Sequence, residues 1–159
     1  MYDEGIAEGN LGGILFRAGR YEEAEPRVRR GIALASTSWP VAAAAFRGTL
    51  ALLMNARGQH EEALAILDAL EAEVRDVHAE IWFQLLWHRS CIRLEHGMQL
   101  AAIEGFEEVV ARANHPGLVA RLDSLYSDAS PEVRSLVDQI RMRTGETERP
   151  TGDTERPTR

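Results

Sequence analysis

Apolar residues return every three or four positions along most of this chain, and short polar breaks interrupt them at regular intervals. Ile6, Leu11, Ile14, Leu15 and Ala18 predict a first helix over 2–18. Gly19 ends it, because glycine readily takes the left-handed conformation that closes a helix. Ala24, Val28 and Ile32 mark the inward face of a second helix over 21–34, with Pro26 tolerated in its first turns. The stretch 36–40, STSWP, reads as a turn with hydroxyl caps, and Pro40 stands at the next helix start. A third helix over 40–57 carries Leu50, Leu53 and Met54 and stops at Gly58. A fourth over 60–74 carries Ala63, Leu67 and Leu70. Asp76 is the one cap candidate before a fifth helix over 78–95, which holds Trp82 and Trp87. Gly97 closes that helix, and a sixth over 99–113 turns Ala102, Phe106 and Val109 inward. His115-Pro116-Gly117 is a firm stop. Two shorter helices follow, 117–126 and 131–143, the latter capped by Ser130. The tail, 144–159, runs TGETERP and then TGDTERP; with no large apolar residue it is expected to be disordered.

These helices repeat. Gly19, Gly58 and Gly97 are each 39 residues apart, and three further columns keep the period: Ala24, Ala63, Ala102; Gly12, Ala51, Ser90; Val28, Leu67, Phe106. A period of this length marks stacked helical repeats. Two antiparallel helices joined by a tight turn need small residues where their backbones approach, which the Gly12 and Ala24 columns supply. They need bulk where side chains fill the gap, at Leu11, Leu15, Val28, Leu50, Met54 and Leu67. No single pair can bury its stripe alone, so stacking makes the core. The third repeat departs. Strict spacing puts Arg89 and Arg93 where the first repeat has Leu11 and Leu15. A one-residue slip puts Trp87, Cys91 and Leu94 there instead, with Ile92 toward the preceding repeat. The slip is preferred, because unpaired charges in a helix seam cost several kcal/mol.

Residues 5–114 resemble a tetratricopeptide repeat (TPR) array. The resemblance rests on Leu11-Gly12, Leu15, Gly19, Tyr21, Ala24 and Leu34, then on Leu50-Ala51, Met54, Gly58, Ala63 and Leu67. The segment GRYEEAEPRVRRGIAL, 19–34, is similar to the long-period repeats of kinesin light chains and bacterial signalling proteins. The resemblance implies an all-α, right-handed α-solenoid of three helix pairs, about 5–38, 44–77 and 82–116. Capping helices over about 117–143 would complete one domain, 1–143. It also implies a concave groove lined by the first helix of each pair, here Asn10, Phe16, Arg17, Thr49, Leu52, Asn55, His88 and Arg89. The family's carboxylate-clamp subclass holds chaperone peptide ends with Lys, Asn and Arg. Here the matching places are Gly9, Gly13 and Thr49, and the chain has no Lys, so that activity is not implied.

Composition changes this picture only at the edges. All 18 basic residues are Arg, which points to a GC-rich bacterial genome. The net charge of −7 disfavours a nucleic-acid or anionic-membrane surface. A single cysteine, Cys91, fits a reducing cytoplasm, and the acidic start has no signal-peptide core. No apolar run is long enough to span a bilayer. His88 and Cys91, three apart on one helix, are the only nucleophile–base candidates, and a buried cysteine beside a rim histidine is the simpler reading. The histidines 60, 78, 88, 96 and 115 lack ligand spacing, and no phosphate or dinucleotide loop occurs. No enzyme activity or cofactor is expected. Trp39 is expected as a plug between repeats. The expected partner is a protein or peptide with an acidic or C-terminal segment and an apolar anchor. The alternatives are weak homo-oligomerisation through an uncapped first repeat, docking of a missing upstream segment, or a place inside a larger bacterial regulator.

Overall fold

The computed structural model describes residues 2–147. Among them are eight helices and no strands: α1 (Tyr2–Arg17), α2 (Tyr21–Ser38), α3 (Pro40–Ala56), α4 (His60–Val74), α5 (Ala79–Glu95), α6 (Gln99–Arg112), α7 (Pro116–Ser127) and α8 (Pro131–Thr147). The architecture is an all-α solenoid. α1 pairs with α2, α3 with α4 and α5 with α6, and each pair packs on the next through α2–α3 and α4–α5.

The three pairs share one turn. Gly19, Gly58 and Gly97 have φ of 73°, 82° and 76°, the left-handed region that a side chain resists. Each is followed by the same backbone bond, in which the next N–H reaches back to the carbonyl five residues earlier. Arg20 donates to Leu15 at 2.9 Å, Gln59 to Met54 at 2.9 Å and Met98 to Arg93 at 2.8 Å. This closure satisfies carbonyls that the helix end leaves open and reverses the chain within two residues.

The small columns lie where backbones meet. A Cβ on Gly12 would stand 2.9 Å from the Val28 nitrogen, and one on Gly31 would stand 2.6 Å from the Gly9 nitrogen. Gly9 also leaves the space that the Phe46 ring fills between α1 and α3. Ala24, Ala63 and Ala102 have no exposed surface. One buried cluster joins Val28, Ala35, Phe46, Leu50 and Leu53 of the first two pairs. A second runs from Leu67 and Leu70 through Trp82, Phe83, Trp87 and Phe106 to Leu118, Leu122, Val133, Val137 and Ile140. α7 packs on α5 and α8 on α6, which closes this end of the stack.

Several expectations are corrected. α2 continues to Ser38, because the Ser36 and Ser38 hydroxyls donate back to the Ile32 and Leu34 carbonyls rather than capping the next helix. Trp39 is 39% exposed, so it is not a buried plug between repeats. His78, not Asp76, is the N-cap of α5. Ser130 does cap α8, its Oγ accepting the Val133 N–H. Leu11, expected to fill the gap between paired helices, is exposed instead, while Ile14 is exposed on the uncovered face of the first helix. Of the tail, 144–147 continue α8 and the remainder lies outside the described residues.

The third repeat needs no slip. Ser90 keeps the small column and is fully buried, with its Oγ in the space that Gly105 leaves open. Arg89 and Arg93 therefore do stand in the seam against α4. They are paired there: Arg89 with Glu71 and, at 3.0 Å, with Asp68; Arg93 with Asp68 at 3.6 Å. Trp87 is buried all the same, edge-on to Phe106 at 5.2 Å.

Candidate functional site

The first helices of the pairs adjoin one another, α1 to α3 and α3 to α5, and α7 continues the row. Their shared face is the one the period assigns to the groove. Between α3 and α5 it dips into a small cavity of about 20 Å³, bordered by Thr49 and Leu52 on one side and Gln84 and His88 on the other. Gly48 and Leu85 form part of its lining; a Cβ on Gly48 would stand 2.8 Å from Leu85 Cδ2. The absence of that Cβ lets the α5 side chains lie close against α3.

The polar atoms of this depression are neutral. Burial pulls the His88 imidazole down to about 4, and the Arg121 cation of α7 pushes the same way. His88 Nε2 lies 3.4 Å from the Gln84 amide nitrogen, one turn earlier. The amide is the donor of that contact, so Nε2 accepts and Nδ1 carries the ring proton. Thr49 Oγ1 contacts the Ala45 carbonyl at 3.4 Å, which leaves the hydroxyl oxygen able to accept. Donors and acceptors thus stand above an apolar floor of Leu52, Ile81 and Leu85.

Comparison with protein-family models and with curated protein sequences finds no match. Solved structures do match. Two are crystal structures of a protein described as a kinesin light chain of Podosopora anserina with nearly identical TPR-like repeats, one of them a single-residue variant. The variant aligns with a TM-score of 0.57 over 90% of this chain and 76% of that one; the other aligns at 0.58 over 91% and 76%. Each is 20% identical to this chain. The chain has the TPR-like repeat fold.

On that fold the eight groove candidates stand in different settings. Thr49, Leu52 and His88 meet at the α3–α5 depression. Asn10 and Arg17 are exposed on α1, and Phe16 is half-buried with its ring 5.6 Å from Tyr21. Asn55 is committed elsewhere: its amide donates to Glu95 at 2.9 Å and accepts from His96 at 3.0 Å, while His96 stacks on His60 at 4.0 Å. Arg89 belongs to the α4–α5 seam and not to the groove, because Glu71 and Asp68 hold it there. Two polar residues of the site, Gln84 and Arg121, were not read from sequence, nor were Ile81 and Leu85 of its floor. Gln84 could have been, since it lies one helical turn before His88; Arg121 could not, because α7 is outside the 39-residue period.

The Cys91 and His88 pair lacks the chemistry of a nucleophile and base. Burial pushes the Cys91 thiol up to about 12, with Glu95 adding to it, whereas a reactive thiol needs a depressed value. Among the described residues no group of three or more His, Cys, Asp or Glu is placed to hold a metal ion. None of their helices is long and apolar enough to cross a membrane.

Proposed function

We propose that this chain is a peptide-binding module of a protein-interaction scaffold, with the ligand lying along the concave face over the α3–α5 depression. The observation that carries the reading is the set of neutral donors and acceptors, Thr49, Gln84 and His88, around an apolar floor. Such groups suit a peptide backbone, and Leu52 and Ile81 suit an apolar anchor. Arg121 beside His88, and Arg17 farther along, favour an acidic or C-terminal segment. Arg as the sole basic residue and the lone cysteine support a setting in the bacterial cytoplasm, as a sensing or scaffolding part of a larger regulator.

A peptide array varying acidic and C-terminal residues supplies a ligand, and fluorescence anisotropy measures its affinity. Thr49→Ala and His88→Ala are each expected to weaken binding about 10-fold, the loss of one hydrogen bond to a bound group. Since His88 stays neutral down to about pH 4, affinity is expected to be flat between pH 5.5 and 8. Full affinity in both variants places the ligand on another face.

A further inference from the structure

The same pair of residues recurs where consecutive first helices meet. Gly9 of α1 faces the ring of Phe46 on α3, and one period later Gly48 of α3 faces Leu85 on α5. Phe46 and Leu85 are both buried. Each glycine gives up its Cβ, and the residue opposite decides how much of the space is filled. A phenyl ring fills more of it than the branched chain of leucine does. The α3–α5 junction, which has the leucine, keeps a cavity of about 20 Å³, room for one water or one methyl group.

The walls of this cavity hold their size. Leu85 is buried against Gly48, so the floor has nowhere to drop. Leu52 and Ile81 are half-buried and pack on the core. Thr49 turns its hydroxyl to the Ala45 carbonyl of its own helix, and Gln84 meets His88 across one turn. Admitting a leucine-sized group would require several of these packed side chains to leave their places together, which close-packed interiors resist.

We propose that the depression selects the ligand's anchor by size: it takes the one-carbon side chain of alanine and excludes leucine and aromatic residues, with Leu85 and Leu52 setting the limit. This rests on the peptide-binding reading above and narrows it. Thr49, Gln84 and His88 stand at the rim and suit the ligand's backbone on either side of the anchor. A backbone held that close admits only a Cβ to the cavity. Glycine leaves the cavity unfilled, and a larger side chain lifts the backbone off the rim.

Short fluorescein-labelled peptides with an acidic C-terminal half, each carrying Gly, Ala, Val, Leu or Phe at one varied position, test this by anisotropy. At the anchor, alanine is expected to bind about 4-fold tighter than glycine, the effect of burying one carbon. It is expected to bind at least about 10-fold tighter than leucine or phenylalanine. Leu85→Phe gives α5 the residue that α3 carries in the same column; it fills the cavity and is expected to cancel alanine's advantage over glycine. Leu52→Ala widens the cavity and is expected to place leucine above alanine. Ile81→Ala, on the opposite wall, is expected to do the same, and the helical spectrum checks the fold of each variant. If peptides that Thr49→Ala weakens bind equally well with alanine or leucine at every position, the size limit is overturned and the peptide site stands. An order that survives both Leu52→Ala and Ile81→Ala overturns it as well. Peptides that neither Thr49→Ala nor His88→Ala weakens overturn the size limit and the peptide site together.

Discussion

Glu71 keeps its charge in a place where burial alone would discharge it. Burial raises its carboxyl, but hydrogen bonds from Arg75, Trp82 and Arg89 and the charge of Arg89 more than offset that, so it titrates below the usual range. A depressed carboxylate contributes stability above its unfolded value, about 4.3, and that contribution is lost as pH falls through the folded value. Glu71→Gln removes the charge while Asp68 still holds Arg89, so the expected loss at pH 7 is about 1–3 kcal/mol. The gap between wild type and variant should narrow below about pH 4.3, as urea unfolding at a series of pH values would report; a constant gap would count against the pairing. Arg89 shows why this was illegible in sequence. The 39-residue period places it in the seam, and a charged residue there looks too costly. Its partners Asp68 and Glu71 lie on another helix, and no local spacing marks them as partners. Arg89 Nε still lacks a partner in its buried position, so the fit is serviceable and not complete.

At the scale of the helices, small residues decide how closely each pair packs. Ala63 has no exposed surface, while Ala65 lies on the outer side of α4. Ala63→Leu is expected to cost roughly 1–3 kcal/mol by overpacking the pair, and Ala65→Leu to cost little. Matched denaturant curves decide it; equal losses would show that the period does not mark the close approach. This level was the most readable one, because a glycine that must take positive φ and an alanine that must fit between backbones are both local requirements. Helix ends were less so. Ser36 and Ser38 read as caps, but the same hydroxyls can bond back to the preceding turn, and in α2 they do. Leu11 and Ile14 show a second gap: periodicity identifies an apolar stripe without saying what covers it.

The assembled stack exposes apolar side chains at both ends, Leu11 and Ile14 on α1 and Met142 on α8, and the groove lies between them. Thr49, Leu52 and His88 could be placed on one face from the period, since the first helices of consecutive pairs adjoin. Asn55 could not be separated from them, because Glu95 and His96, its partners, sit on the neighbouring helix. The boundary of the folded body is set by where apolar burial stops. Ile140 is the last buried apolar side chain, and Thr144 Oγ1 still donates to its carbonyl at 3.2 Å. Beyond α8 the sequence 148–159 contains no apolar residue other than proline, so it has nothing to bury. Deleting 148–159 is therefore expected to leave the melting temperature within about 4 °C, the shift that 1 kcal/mol gives a domain of this size. Truncation after Gln139, which removes Ile140, is expected to lower it by more, on the order of 2 kcal/mol or greater for a buried branched side chain. A thermal melt of both truncations makes the comparison. If removing 148–159 lowers the melting temperature as much as removing Ile140 does, that segment docks on the folded body and the boundary belongs beyond α8.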